Sequence, residues 1–421
     1  MTSKTQLSSM DNTYTLRYKY EIKPTKDQKD YLSKLFGHSR FVYNEVLFLL
    51  KLQYQVYLDS NKDPRYKPDY SDSNVNRLLN ILKSEYTWLQ EVSSVALQQS
   101  VLNVAKAYRD TFQRGEKTKE YHFPKYKNRF SKKSVKLVGP SYTLTQDSYL
   151  KIARLDAPIK VYWSRDLPSI PTGATVSQTP DGKYHVSFVV QVTPKKTHGQ
   201  SIVGIDLGLT DLYTDSNGNH IANDVKLTKR TILTRIKKLQ VYLAKKTKGS
   251  KNYEKLRLKI AKLFQKATNI QNDMYHKLSR RLVDENQAIV IEDLNVKGML
   301  TNHCLAQTIS FTGWSKLVQC IYYKVTQSQH CILGVADTFY PSSKLCNACG
   351  SKTPCLKLSD REWVCQDCET HHNRDENAAF NLRDLFVREI KLHAAQTNQS
   401  FIDYIAYKVS INERLVLLPK E

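Results

Sequence analysis

Ser201-Ile202-Val203-Gly204-Ile205-Asp206-Leu207-Gly208 is a short aliphatic run that ends in an acid between two glycines. Such a run, bounded by turn residues, reads as a buried strand with a carboxylate at its carboxyl end. Ala288-Ile289-Val290-Ile291-Glu292-Asp293-Leu294 repeats that description with Glu292 in place of Asp206. A carboxylate at the end of an aliphatic strand is costly unless it is solvated or paired with a cation. Two or three such groups converging on one sheet edge can hold Mg²⁺ ions a few ångströms apart, the two-metal arrangement that cleaves phosphodiesters. Asp293 follows Glu292 directly, so it should point to the opposite side of the strand and ranks second. Asp211, just after the Gly208 turn, reads as a turn residue.

A third acid follows a cysteine-rich stretch. Cys346-Asn347-Ala348-Cys349 and Cys365-Gln366-Asp367-Cys368 are two CxxC knuckles separated by 15 residues. That is the spacing of a structural four-thiolate zinc site, small enough that the metal must hold it folded. Arg374-Asp375 comes next, at the start of a helix expected from about Glu376 to Ala395. Alone, Asp375 reads as an acid at a helix N-terminus, where the helix dipole favours it. With Asp206 and Glu292 it becomes a candidate third metal ligand. His371 and His372 lack a second histidine cluster and read as positioning or structural residues. Cys304, Cys320, Cys331 and Cys355 are scattered and read as buried small hydrophobes. Cys355 lies in the knuckle loop, where it could be a spare ligand, although it belongs to neither CxxC.

The 421 residues carry 64 Lys+Arg against 40 Asp+Glu, a net charge of +24. So large a surplus repels itself unless a polyanion neutralises it, which points first to nucleic acid. Forty per cent hydrophobic residues fit a folded chain of two or three domains. No apolar segment follows the polar residues Met1 to Asn12, and no run reaches membrane-spanning length, so the expected home is inside the cell without membrane contact.

Leu16, Tyr18, Tyr20 and Ile22 alternate with polar residues as in a half-buried strand, which Pro24 ends. Thr25-x-x-Gln28 is a capping-box signature for a helix carrying Leu32, Leu35, Val42 and Val46. Further helices are expected near Val75–Tyr86 and Ser94–Arg114. From Arg114 to Lys136 the chain turns basic with interleaved rings. There Lys125, Tyr126, Lys127, Arg129, Lys132 and Lys133 are candidate nucleic-acid contacts, and Arg374 is another. Ile159, Val161 and Trp163 alternate as a short strand. Ala174–Thr179 and Tyr184–Val192 flank Asp181-Gly182 as a hairpin. Farther on, two apolar-striped helices with basic faces form a helical hairpin, Ile232 to Leu243 and Leu256 to Met274, suited to a core or to a nucleic-acid channel.

Taken in order, these motifs resemble the RuvC-type nuclease of the TnpB family, the transposon-encoded relatives of miniature type V CRISPR effectors. Gly204–Gly208, Ile289–Leu294, the double CxxC and His372-Asn373-Arg374-Asp375-Glu376-Asn377-Ala378-Ala379 carry the resemblance in the second half. Tyr18–Pro24, Arg40-Phe41-Val42-Tyr43-Asn44 and Phe123-Pro124-Lys125-Tyr126-Lys127 carry it in the first, so it spans about residues 14 to 390. The resemblance implies a multidomain α+β protein: a wedge (WED) β-barrel with an inserted helical recognition (REC) domain, then a ribonuclease H-like RuvC domain with an inserted zinc knuckle. The implied parts are a disordered leader at 1–12, a WED strand at 13–24, REC at 25–118 and the WED barrel at 119–197. RuvC follows at 198–343 and 371–396 around the knuckle at 344–370, with a tail at 397–421.

It further implies an RNA-guided DNA endonuclease that uses a transposon-derived guide RNA and cuts double-stranded DNA beside a short adjacent motif. Asp206, Glu292 and Asp375 would be the catalytic carboxylates holding two Mg²⁺ (or Mn²⁺) ions, and Cys346, Cys349, Cys365 and Cys368 the zinc ligands. The expected state is a monomer with one RNA, in a prokaryotic cytoplasm and associated with the nucleoid. The alternatives are a miniature CRISPR effector using a crRNA, a repressor that binds without cutting, and a DDE-type transposase. That last class normally orders its acids differently from the Asp, Glu, Asp found here. Two positions depart from the family pattern: Glu369 stands where glycine is usual after the last cysteine, and Asn373 where aspartate is common.

Overall fold

The computed structural model describes residues 13–145, 148–193, 199–353, 356–357, 360–397, 400, 403–404, 408 and 415–418. The leader 1–12, residues 194–198, Cys355 and most of the tail lie outside them, as does the side chain of Cys304. The chain divides into two compact units, Met1–Thr193 and Pro194–Glu421.

In the first unit, strand β1 (Tyr14–Lys23) leads into α1 (Lys26–Asp59). Pro24 stops the strand, and Thr25 starts the helix through the expected capping box: its hydroxyl accepts from the Gln28 amide, and the Gln28 side chain accepts from the Thr25 amide. Helices α2 (Asp72–Glu85) and α3 (Ser94–Thr118) follow before the chain returns to strands β2 (Lys133–Leu137), β3 (Tyr142–Leu144), β4 (Leu150–Ile152), β5 (Lys160–Tyr162), β6 (Gly173–Gln178) and β7 (Tyr184–Val192). Three helices thus intervene between β1 and the remaining strands. The main sheet has the order β2-β6-β7-β1-β5, and β3 pairs with β4. A single bridge, Leu150 to Ile159, links β4 to the start of β5. The turn of the β6–β7 hairpin puts Gly182 at φ 85°, which glycine adopts at little cost. One core joins helices and sheet: Leu32, Val46, Leu97 and Val104 bury with Tyr20, Val186 and Phe188.

The second unit is built on a six-stranded sheet. Strands β8 (Ser201–Asp206), β9 (Asp211–Asp215) and β10 (His220–Ala222) form an antiparallel meander. The hairpin α4 (Asp224–Ala244) and α5 (Lys251–Glu285) then leads to β11 (Asn286–Glu292), which pairs parallel to β8. After α6 (Val296–Met299), α7 (His303–Thr312) and α8 (Trp314–Gln327), strand β12 (Ile332–Ala336) pairs parallel to β11. A small ribbon of β13 (Glu362–Val364) and β14 (His371–Asn373) precedes α9 (Arg374–Thr397). Last, β15 (Leu415–Leu417) adds a sixth strand, giving the order β10-β9-β8-β11-β12-β15. The tail therefore contributes an edge strand of three residues, within the four-residue apolar run Leu415-Val416-Leu417-Leu418 that carries no periodicity to announce it.

Side-chain alternation gives this sheet two different faces. Val203, Ile205, Ile289 and Ile291 pack with Tyr275 and Leu282 of α5 and with Leu317 and Ile321 of α8. Ala288 and Val290 face the other way, onto Leu382, Leu385 and Phe386 of α9. Gly204 explains how closely α9 approaches: a Cβ there would lie 2.0 Å from the Ala379 carbonyl oxygen. Cys320 and Cys331 are fully buried, as small hydrophobes should be. Among the described residues, no helix is long and apolar enough to cross a membrane.

Candidate active site

Parallel pairing sets Ile205 beside Ile291, so the next residues, Asp206 and Glu292, end their strands side by side. By alternation they share the Gly204 and Val290 face, the one that α9 covers. Asp375 sits in the first turn of that helix. The Asn373 side chain caps it, accepting from the Asp375 and Glu376 amides at 3.0 and 3.2 Å. Asn373 therefore has a definite role as the cap.

The Asp206 carboxyl feels the charges of both other acids. Asp206 keeps a solvent-accessible edge, yet burial of its carboxyl pushes its pKa well above the usual range. The charges of Glu292 and then Asp375 push the same way, against Arg374 and Arg361. Burial also raises Glu292, opposed by a hydrogen bond from Ser342 and by Arg374. The Ser342 hydroxyl donates to Glu292 Oε1 and is itself buried. Arg361 Nη1 donates to both Asp375 oxygens, at 3.0 and 3.1 Å. Arg374 Nη1 donates to the Lys357 carbonyl at 2.9 Å. Three carboxylates with no nitrogen or sulfur donor among them suit a hard, oxygen-seeking divalent ion such as Mg²⁺. Asp206, whose charged form is disfavoured by burial and by the neighbouring carboxylates, is the setting such an ion relieves.

Asp293 is exposed and accepts from Thr338 Oγ1 at 3.1 Å, away from the trio. Asp211 opens β9 and lies 3.4 Å from His220 Nδ1, whose Nε2 meets Glu376 at 2.9 Å. Sequence reasoning missed Ser342 and Arg361; the Pro341-Ser342-Ser343 turn before the first knuckle carries no signal of its own.

Cys346, Cys349, Cys365 and Cys368 place their sulfurs all within 4.8 Å of one another. Cys346–Cys368 and Cys349–Cys365 are each 3.6 Å apart. This compact set of thiols fits a tetrahedral zinc ion. Each knuckle closes by the same turn: Gly350 donates to the Cys346 carbonyl and Glu369 to that of Cys365. Both turn residues take positive φ, 80° for Gly350 and 56° for Glu369. The glycine departure thus falls at a left-handed position, which costs a residue bearing a Cβ about 1 kcal/mol. Around the sulfurs, Trp363 is the main apolar cover. His372 Nε2 lies 3.0 Å from Cys346 Sγ, and its ring packs on Trp363 at 4.7 Å. Helix α9 anchors the knuckle. Asn377 and Asn381 both donate to the Leu345 carbonyl, while Asn347 donates to Asp384 at 2.8 Å.

In the first unit, Lys125, Tyr126, Arg129, Lys132 and Lys133 of the basic segment are exposed. Lys127 is not: its ammonium lies 3.7 Å from the centre of the Tyr43 ring, and burial lowers its pKa. Asn44 fixes the same residue, donating to its carbonyl at 2.8 Å and accepting from its amide at 2.9 Å. Lys127 therefore secures the loop that presents its neighbours. Lys51 lies over Tyr126 at 4.4 Å, and Lys133 donates to Gln178 at 3.0 Å.

The meander with two parallel strands, the acids at the strand ends and the four-thiol knuckle define a mixed α+β protein with a transposase/RuvC-type domain. Three family models match: OrfB_IS605, described as "Probable transposase", over residues 185–303; "Cas12f1-like, TNB domain" over 314–382; and "Helix-turn-helix domain" over 10–57. In that last span the structure has β1 followed by the single long helix α1.

A Streptomyces pristinaespiralis protein named "Putative RNA-guided DNA endonuclease" is 36% identical over 87% of this chain and 88% of its own length. An Escherichia coli K12 protein named "Putative RNA-guided DNA endonuclease InsQ" is 25% identical over 87% of this chain and 90% of its own. A solved structure titled "Cryo-EM structure of the Cas12f1-sgRNA-target DNA complex" aligns over 85% of this chain and 83% of that one. Its TM-score is 0.53 at 14% identity, a likeness of fold. The chain belongs to the TnpB family.

Proposed function

We propose that this chain is an RNA-guided DNA endonuclease that cuts double-stranded DNA beside a short adjacent motif. This reading is supported by the parallel pairing that ends β8 and β11 at Asp206 and Glu292, with Asp375 in the first turn of α9, which covers their face, and with the charges of Arg361 and Arg374 acting on these acids. The names of full-length relatives support the RNA-guided part. Within it, the first unit corresponds to a WED domain interrupted by a REC insertion, with α1–α3 as the insertion. The second is a RuvC nuclease carrying a zinc knuckle.

Asp206, Glu292 and Asp375 would hold two Mg²⁺ ions. When bound, these would lower the pKa of an attacking water and stabilise charge on the leaving 3′ oxygen. The rest falls to the chain. The Ser342 hydroxyl holds one Glu292 oxygen and thereby orients the other. Asn373 fixes the first turn of α9 and so the position of Asp375. Arg361 and Arg374 supply positive charge where a phosphodiester must approach three acids, lessening its repulsion. The zinc knuckle, tied to α9 through Asn377 and Asn381, carries Arg361 and shapes access to the carboxylates. The exposed residues around Lys125 and Arg129 contact nucleic acid. The guide is transposon-derived, and one protein binds one RNA.

Sequencing the RNA that co-purifies with the full chain tests the proposal. A defined structured RNA ending in a variable guide is expected. A preparation that is active on DNA yet free of any defined RNA would refute it.

A further inference from the structure

The two halves of α5 are charged on different plans. Its carboxyl-terminal half is a solvated helix of ordinary kind, with the i,i+4 ion pairs Asp273–Lys277, Arg280–Asp284 and Arg281–Glu285. The amino-terminal half is not. Lys251, Lys255, Lys259, Lys262 and Lys266 fall in one row at successive spacings of four, four, three and four residues, and all five are exposed. At 1.5 Å per residue the row runs about 22 Å along the helix. Neighbours in it are like charges at the separations where side chains meet, an arrangement that destabilises a helix on its own.

Its partner α4 does not relieve the row. Residues 229–266 hold 14 Lys+Arg and a single acid, Glu254, which already pairs with Arg257 at 2.7 Å. An apolar seam joins the two helices, with Ile232, Ile236, Ile260 and Ala267 buried and leucines such as Leu239 and Leu263 packed at its edges, and it leaves the basic faces outward. A hairpin with this much uncompensated charge along its exposed faces calls for a polyanion resident in the working complex. A target that visits only to be cut would leave the repulsion standing the rest of the time.

We infer that the α4–α5 hairpin is a docking surface for the backbone of the guide RNA, with the Lys251–Lys266 row tracking consecutive phosphates. The inference rests on the RNA-guided reading above and assigns the RNA a place on the protein. Contact of this kind reads charge rather than sequence, so its signature is salt dependence.

The test uses the full-length quadruple variant K255Q/K259Q/K262Q/K266Q and the RNA that co-purifies with the unaltered chain, prepared by transcription. Glutamine matches lysine in helix propensity, and losing the repulsion should leave the RNA-free variant melting no lower than the parent. The plot of log affinity for RNA against log salt should flatten by about 3. Affinity at moderate salt should fall tenfold or more. Binding of a guide-matched DNA duplex to the preformed protein–RNA complex should change little. An unchanged RNA salt slope, or a slope change confined to the DNA step, would overturn the assignment. If the unaltered chain binds no RNA, the guided reading itself fails, which the parent control reveals separately.

Discussion

The second unit holds two centres suited to metals, and they depend on their metals in opposite ways. The four cysteines arise within 23 residues and sit on a ribbon whose own apolar cover is little more than Trp363. The three carboxylates come from positions up to 169 apart and stand on a sheet buried on both faces by α5, α8 and α9. In the first centre a bound zinc would make the fold. In the second the fold makes the site, holding Asp206 and Glu292 at the ends of neighbouring strands where burial disfavours their charged forms. A local site can borrow its stability from the metal, whereas a site that must act on a substrate is built on a frame that stands without one.

Removing one ligand from each knuckle tests the contrast most severely. Cys346→Ser/Cys365→Ser should take bound zinc from about one per chain to none and unfold the ribbon. Because the ribbon carries Arg361, DNA cleavage should go with it, while far-UV circular dichroism of the sheet and helices persists. Collapse of the whole second unit would mean that the knuckle supports the sheet, contrary to this view. Chelation of Mg²⁺ alone should stop cleavage and leave zinc and fold intact.

Gly204→Ala probes the frame. The added methyl meets the Ala379 carbonyl and the Arg383 amide, backbone atoms that cannot swing aside. Overpacking of this kind costs about 1–3 kcal/mol or more and should push α9, and with it Asp375, away from Asp206. Thermal stability and cleavage should fall together, with zinc content unchanged; a variant of parental stability and activity would contradict the packing account.

Glu369→Gly is the mildest change and acts in the other direction. It relieves the left-handed strain at the second knuckle and should stabilise the zinc-bound ribbon by about 1 kcal/mol, less the extra freedom glycine has when unfolded. Tighter zinc retention against a competing chelator is the readout. Weaker retention would mean that the Glu369 side chain has a role of its own.

The two centres also differed in how far the sequence revealed them. The knuckles were legible because their ligands are close in the chain and their spacing is set by one local turn. Asp206 and Glu292 were legible as a type, an acid ending an aliphatic strand. That they lie side by side depends on the parallel pairing of β8 with β11, which no local pattern encodes. Ser342 and Arg361 were invisible because nothing in their neighbourhoods distinguishes them from solvated turn residues; only the approach of α9 and the knuckle gives them partners. The intramolecular contacts of Lys127 were invisible for a related reason. In sequence it is one cation of a basic run, and only the fold gives it the Tyr43 ring and the Asn44 clamp as partners. The edge strand β15 was missed because so short an apolar run, Leu415 to Leu418, becomes a strand only when β12 offers it an edge.

The central claim is that Asp206, Glu292 and Asp375 form one cutting centre in a protein directed by RNA. It is tested most directly by cleavage of a guide-matched DNA duplex with the purified Asp206→Ala complex in Mg²⁺. Cutting should fall by roughly three orders of magnitude or more, while RNA and target binding and zinc content match the parent. Undiminished cutting by that complex would contradict the account.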